Sequence, residues 1–103
     1  MTFDEYQLLA EQTAVFQNEF YPYASLLIES SEFVDLFVKP MLRGDNKIVE
    51  EKDIISEAGD ILWNLSVILK RNNIKLSSVA EYNIAKLKSR QERGVLMGDG
   101  GDR

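Results

Sequence analysis

The chain has no cysteine and no histidine among its 103 residues. Without cysteine there is no disulfide, no thiolate metal site and no thiol nucleophile. Without histidine, the usual imidazole base and the usual zinc ligand are missing as well. Any metal must therefore be held by oxygen, which favours Mg²⁺, with Mn²⁺ as a substitute, over Ca²⁺. Positive charge is scarce at one end: residues 1–38 hold seven acids and not one Lys or Arg. The opening Met1-Thr2-Phe3-Asp4-Glu5 is acidic where a secretory signal has a basic start. No apolar run approaches the roughly 20 residues of a membrane span. These absences predict a soluble cytoplasmic protein that engages neither membrane nor nucleic acid. The net charge of −5, from 17 acids and 12 bases, opposes the phosphate neutralisation on which general nucleic-acid binding rests.

What is present is ordinary globular composition, 45% apolar and 28% charged, in a length that suits one domain over 1–103. A core this small leaves room for subunit pairing to add burial. Four helices follow from the pattern. Thr2 and Glu5 make a capping box, and Tyr6, Leu9, Ala10, Thr13 and Phe16 recur with helical spacing, so the first helix is expected to leave between Asn18 and Tyr21. A second is expected from about Tyr23 to Lys39, stopped or kinked by Pro40, with Leu26, Leu27, Phe33, Leu36 and Phe37 inward. Ile54, Ala58, Ile61, Leu62, Leu65 and Ile68 predict a third from about Glu51 to Arg71, ended by Asn72-Asn73. A second capping box, Ser78 to Glu81, predicts a fourth through about Arg93, ended by Gly94. Residues 94–103 carry four of the six glycines and form a glycine-rich tail. No stretch alternates as a strand does, so the fold class is all-α, a four-helix bundle.

Two acidic pairs carry the chemistry. Glu29 and Glu32, and then Glu57 and Asp60, have i, i+3 spacing, which puts each pair side by side on one helix face. Both sit in apolar stretches, beside Leu26-Leu27-Ile28 and Ile61-Leu62-Trp63. Solvated acid pairs are common on helices. Two such pairs on consecutive helices, both at the edge of a core, resist ionising unless a cation joins them. On the fourth helix Asn83, Lys86, Arg90 and Arg93 fall within about a quarter of the circumference. That row suits successive phosphate oxygens, and it equally suits a solvated basic face that the helix dipole favours. Trp63 and Phe33 read as core residues. Tyr21 and Tyr23 are candidates to line a nucleotide pocket, with packing the simpler reading.

The succession Glu29-x-x-Glu32, Glu57-Ala58-Gly59-Asp60-Ile61-Leu62-Trp63, Asn83-x-x-Lys86, Arg90-x-x-Arg93-Gly94 and the glycine-rich end resembles the MazG-like nucleoside triphosphate pyrophosphohydrolases. The resemblance covers nearly the whole chain and rests on the order of motifs, each weak alone. It implies an all-α NTP pyrophosphatase fold, completed by pairing as a homodimer or a dimer of dimers. It implies Mg²⁺-dependent cleavage of a (d)NTP to the monophosphate and pyrophosphate. By that resemblance Glu29, Glu32, Glu57 and Asp60 would hold metal, and Asn83, Lys86, Arg90 and Arg93 would contact phosphate. Glu32 or Glu57 would orient or deprotonate a water that attacks the α-phosphorus. The chain departs from the family pattern at Ile28, where a second Glu is common, at Ser31, where Gly is common, and at Asn64, where Tyr is frequent. The competing readings are a non-catalytic helical interaction module, and a sibling hydrolase acting on dUTP or a phosphoribosylated nucleotide.

Overall fold

The computed structural model describes residues 1–95. Its four helices are α1 (Phe3–Gln12), α2 (Tyr21–Leu42), α3 (Glu51–Arg71) and α4 (Leu76–Glu92). Among the described residues there is no strand. The third helix is central: α2 packs along it, α1 crosses it, and α4 rests on α1 and α3 without touching α2. Acids of α2 and α3 therefore meet on one seam, while the basic row of α4 sits on a helix that does not touch α2.

Each boundary has a local cause. The Thr2–Glu5 capping box forms as the sequence predicts, with Glu5 N–H donating to Thr2 Oγ1 at 3.1 Å and Thr2 N–H to Glu5 Oε1 at 2.9 Å. However, α1 ends at Gln12, a full turn or more before the expected exit. The Thr13 hydroxyl turns back to donate to Ala10 O at 2.7 Å, and this competes with continuation of the helix. At its start α2 takes in Tyr21 and Pro22, because proline at a first helical turn lacks only a donor that would be unpaired anyway. Pro40 does not stop α2, which runs to Leu42. So close to the C-terminus, the ring deletes one ladder bond rather than breaking a long helix. Asn72 caps α3 and Asn73 takes a left-handed φ of 58°, the stop expected from this pair. Gly94 turns the chain after α4 at φ +71°. The tail beyond Val95 lies outside the described residues.

The start of α4 corrects the sequence reading. Ser78 is not its cap; the helix begins at Leu76 with no side-chain cap from its own flank. Two residues of α1 satisfy its free N–H groups instead. Leu76 N–H donates to Gln7 Oε1 at 3.1 Å, and Ser77 donates from N–H and Oγ to the Asp4 carboxylate at 3.2 and 2.9 Å. The Gln7 amide also donates to Ser66 O and Ile74 O, at 3.2 and 3.0 Å. A buried glutamine thus binds α1, the end of α3 and the start of α4 together. An anion at a helix N-terminus is further favoured by the dipole.

Burial follows the predicted stripes only in part. Ala10, Val67 and Leu76 are buried, together with Gln7, Ser25, Asn64, Ser66 and Arg90. Leu27, expected inside, is 76% exposed, and Ile28, Val34, Met41 and Ile55 are also open. The chain exposes 7885 Å², against roughly 5,900 Å² for a compact monomer of its mass. Its radius of gyration is 16.6 Å, against about 13 Å expected for a compact domain of this length. A single copy leaves much of its apolar surface unmet. No helix among the described residues is long and apolar enough to cross a membrane.

Candidate metal centre

The seam between α2 and α3 brings three of the four predicted acids together. One carboxylate oxygen from each of Glu29, Glu57 and Asp60 lies within 4.8 Å of the others. Glu32 sits exposed at the rim and meets Glu29 closely enough to share a hydrogen bond with its protonated carboxyl. The i, i+3 spacing on each helix makes the pairs, and packing of α2 along α3 joins Glu29 to Glu57 and Asp60 while Glu32, expected as a fourth member, stays outside the cluster and touches only its Glu29 edge.

The environment shows in Glu29. Its carboxyl is pushed up to about 7, first by burial, then by the hydrogen bond and charge of Glu32, then by the charges of Asp60 and Glu57. Glu29 Oε2 and Glu57 Oε2 are buried and meet no donor. Buried carboxylate oxygens without partners are costly. Two of them on members of one all-oxygen cluster fit a hard divalent cation. The residues present therefore suit Mg²⁺ or Mn²⁺ better than they suit one another.

Two neighbours of the cluster escaped sequence reasoning. Tyr6, read as one member of an apolar stripe, has its hydroxyl pKa raised by burial and then by the charge of Asp60. No sequence signal places a tyrosine of α1 against an acid of α3; the crossing of the two helices does. Asn64 is 2% exposed, donates from Nδ2 to Asp60 O at 2.9 Å, and leaves Oδ1 buried without a partner. Asn64 stands four residues after Asp60, on the same helix face, but nothing in the spacing announces its burial.

The α4 row is divided. Asn83 and Lys86 line one hollow of about 360 Å³ with Ser78, Val79 and Tyr82, and none of the four acids lines it. Lys86 Nζ lies 5.9 Å from the Tyr82 ring centroid. Arg93 is exposed and donates from Nε to Ser89 Oγ at 3.2 Å. Arg90 is only 6% exposed, so it is no part of a solvated basic face. A further hollow of about 210 Å³ between the end of α2 and the start of α3 mixes Lys39, Arg43 and Lys47 with Asp35, Asp45 and Glu50. Its charges oppose one another, and it holds none of the clustered acids.

An all-α chain with three carboxylates clustered on the seam of two helices, and a fourth at the rim, carries the donor set of a site for a hard divalent cation. Residues 21–95 match the family described as the MazG nucleotide pyrophosphohydrolase domain. The chain belongs to that family. It is also similar to the Gene 37 protein of Mycobacterium phage L5, 30% identical over 114 residues spanning 100% of each chain. No solved structure matches it.

Proposed function

We propose that the protein is a Mg²⁺-dependent nucleoside triphosphate pyrophosphohydrolase that cleaves a (d)NTP to the monophosphate and pyrophosphate. The observation that carries this reading is the pair of buried, unpartnered oxygens on Glu29 and Glu57 inside the acid cluster, in a chain of this family. Glu29, Glu32, Glu57 and Asp60 hold the cation, which when bound neutralises the triphosphate and the charge of the leaving pyrophosphate. On this reading Glu32 or Glu57 orients a water and takes its proton. The water oxygen bonds to the α-phosphorus as the bond from that phosphorus to the bridging oxygen breaks. That oxygen leaves with pyrophosphate.

Asn83, Lys86 and the exposed Arg93 are the phosphate-contacting residues of this reading, while Arg90, only 6% exposed, is too covered to join them. Since α4 does not touch α2 within one chain, pairing of two copies would serve two ends. It would cover Leu27, Ile28 and Val34, which are exposed, and it would offer a second α4 to the acids. The surplus of roughly 2,000 Å² per chain over a compact monomer, about 4,000 Å² for a pair, falls in the range that obligate homodimers bury. A homodimer or a dimer of dimers is therefore part of the proposal. Clustered acids with orphaned oxygens favour this reading over a helical interaction module, which has no use for them.

The test is hydrolysis in heavy-oxygen water. Label in the nucleoside monophosphate supports attack at the α-phosphorus. Label confined to pyrophosphate contradicts it, and release of orthophosphate contradicts the reaction itself. Profiling dUTP and phosphoribosylated nucleotides beside the common triphosphates separates the sibling activities.

A further inference from the structure

Where α1 ends, the chain folds back over α3 and builds an open hollow of about 310 Å³ lined by Thr13, Val15, Phe16, Tyr21 and Trp63. Trp63 was expected in the core; it is half-buried and forms a wall of this hollow instead. Its indole N–H donates to Thr13 Oγ1 at 2.7 Å, which fixes the plane of the ring. Phe16 meets Trp63 edge-on, with centroids 6.4 Å apart, and stacks on Tyr21 at 5.6 Å. The Arg71 guanidinium lies 5.0 Å from the Phe16 centroid and is itself held by Glu11 at 2.8 Å. The aromatic walls are thus set in place by ties at their edges, while Tyr21 stays 50% exposed. Trp63 follows Asp60 by three residues on α3, so the hollow opens one helical turn from the acid cluster.

We propose that this hollow receives the planar base of the nucleotide whose phosphates face the acids. This rests on the hydrolase reading given above. Rigid aromatic walls of this kind stack on any base, since every base has a π-face. The Thr13 hydroxyl already donates to Ala10 O and accepts from Trp63, so it has little left with which to read a base edge. The site therefore discriminates weakly among bases, and affinity follows stacking area, purines above pyrimidines. Thr13, Val15 and Phe16 precede the family-matched residues 21–95.

Trp63 is the one tryptophan of the chain, and its emission reports on the hollow directly. The full-length protein is titrated with AMP, and separately with ribose 5-phosphate and with inorganic pyrophosphate, each with Mg²⁺ and corrected for absorbance. AMP is expected to change Trp63 emission saturably, and the two base-free ligands are not. Tyr21→Ala should weaken AMP binding roughly ten-fold while leaving calorimetric binding of Mg²⁺ and pyrophosphate unchanged. Tyr21→Phe, which keeps the ring, should bind AMP as the parent does. A silent Trp63, equal responses to AMP and ribose 5-phosphate, or equal loss of AMP and pyrophosphate binding in a folded Tyr21→Ala would each overturn the proposal. A saturable AMP response without hydrolysis of any triphosphate supports the hollow and overturns the hydrolase reading. Hydrolysis with a silent Trp63 does the reverse.

Discussion

Raising the pH should loosen the metal-free protein, and Glu29 sets the size of the effect. In the fold its carboxyl holds a proton up to about 7, against 4.5 for the free side chain. Between those values the native state binds more protons than the unfolded state, so stability falls as pH rises through the window. At about 1.4 kcal/mol per tenfold, the ceiling is roughly 3 kcal/mol. Glu29 is only partly buried, and solvent screening brings the expected loss to about 1–2 kcal/mol. For a domain of this size that is a fall in Tm of about 5–15 °C. Neither Glu5 nor Tyr6 confuses the window. Glu5 is lowered by its hydrogen bonds from Thr2, so its stabilising contribution is lost only as pH falls below the ordinary carboxylate range. Tyr6, raised above 10, titrates beyond the window. Thermal melts in EDTA from about pH 5 to pH 8 read the slope, with Glu29→Gln as the control that flattens it. Mg²⁺ at the upper pH should restore stability by about 2.7 kcal/mol at a hundred times its Kd. A flat or rising profile in EDTA would refute the reasoning, as would an unchanged slope in Glu29→Gln.

Glu57→Gln should abolish turnover while leaving the helical circular dichroism intact and the metal-free Tm equal or higher, because a charge facing Glu29 is removed; unfolding of this variant would make the acid structural. Gln7→Leu should destabilise by about 2–4 kcal/mol in urea titrations, since it leaves Leu76 N–H, Ser66 O and Ile74 O without their side-chain partner. Asp4→Ala removes the anion at the start of α4 and should lower stability by about 1 kcal/mol. Ser66→Ala should do the opposite, by about 1 kcal/mol, because Ser66 Oγ is buried with no partner.

The helices were legible because their signals are local. The Thr2–Glu5 box, the 3.6-residue period of α3 and the Asn72-Asn73 stop each act within a turn or two, and each appears where the sequence puts it. The fourth helix was misread at its start for the same reason inverted. Its cap comes from Asp4 and Gln7, some seventy residues away, and Ser78 carries a local signal that tertiary structure overrides. The four acids were legible as two arcs, and α2–α3 packing turns three of them into a cluster, with Glu32 left at the rim. Exposed Leu27 and half-buried Trp63 were not legible. Periodicity shows which side of a helix is apolar, but not whether the covering surface belongs to the same chain. Phe16 and Trp63 are separated by α2 and both its loops, so nothing in their spacing announces a shared hollow.

The central claim is a reaction, and turnover tests it most directly. The common ribo- and deoxyribonucleoside triphosphates are incubated with the full-length protein in Mg²⁺ and in EDTA, and the products are resolved chromatographically. The account predicts monophosphate and pyrophosphate in Mg²⁺, silence in EDTA, and modest differences among bases. Diphosphate with orthophosphate, or no product from any triphosphate with no effect of Mg²⁺ on melting, would contradict it.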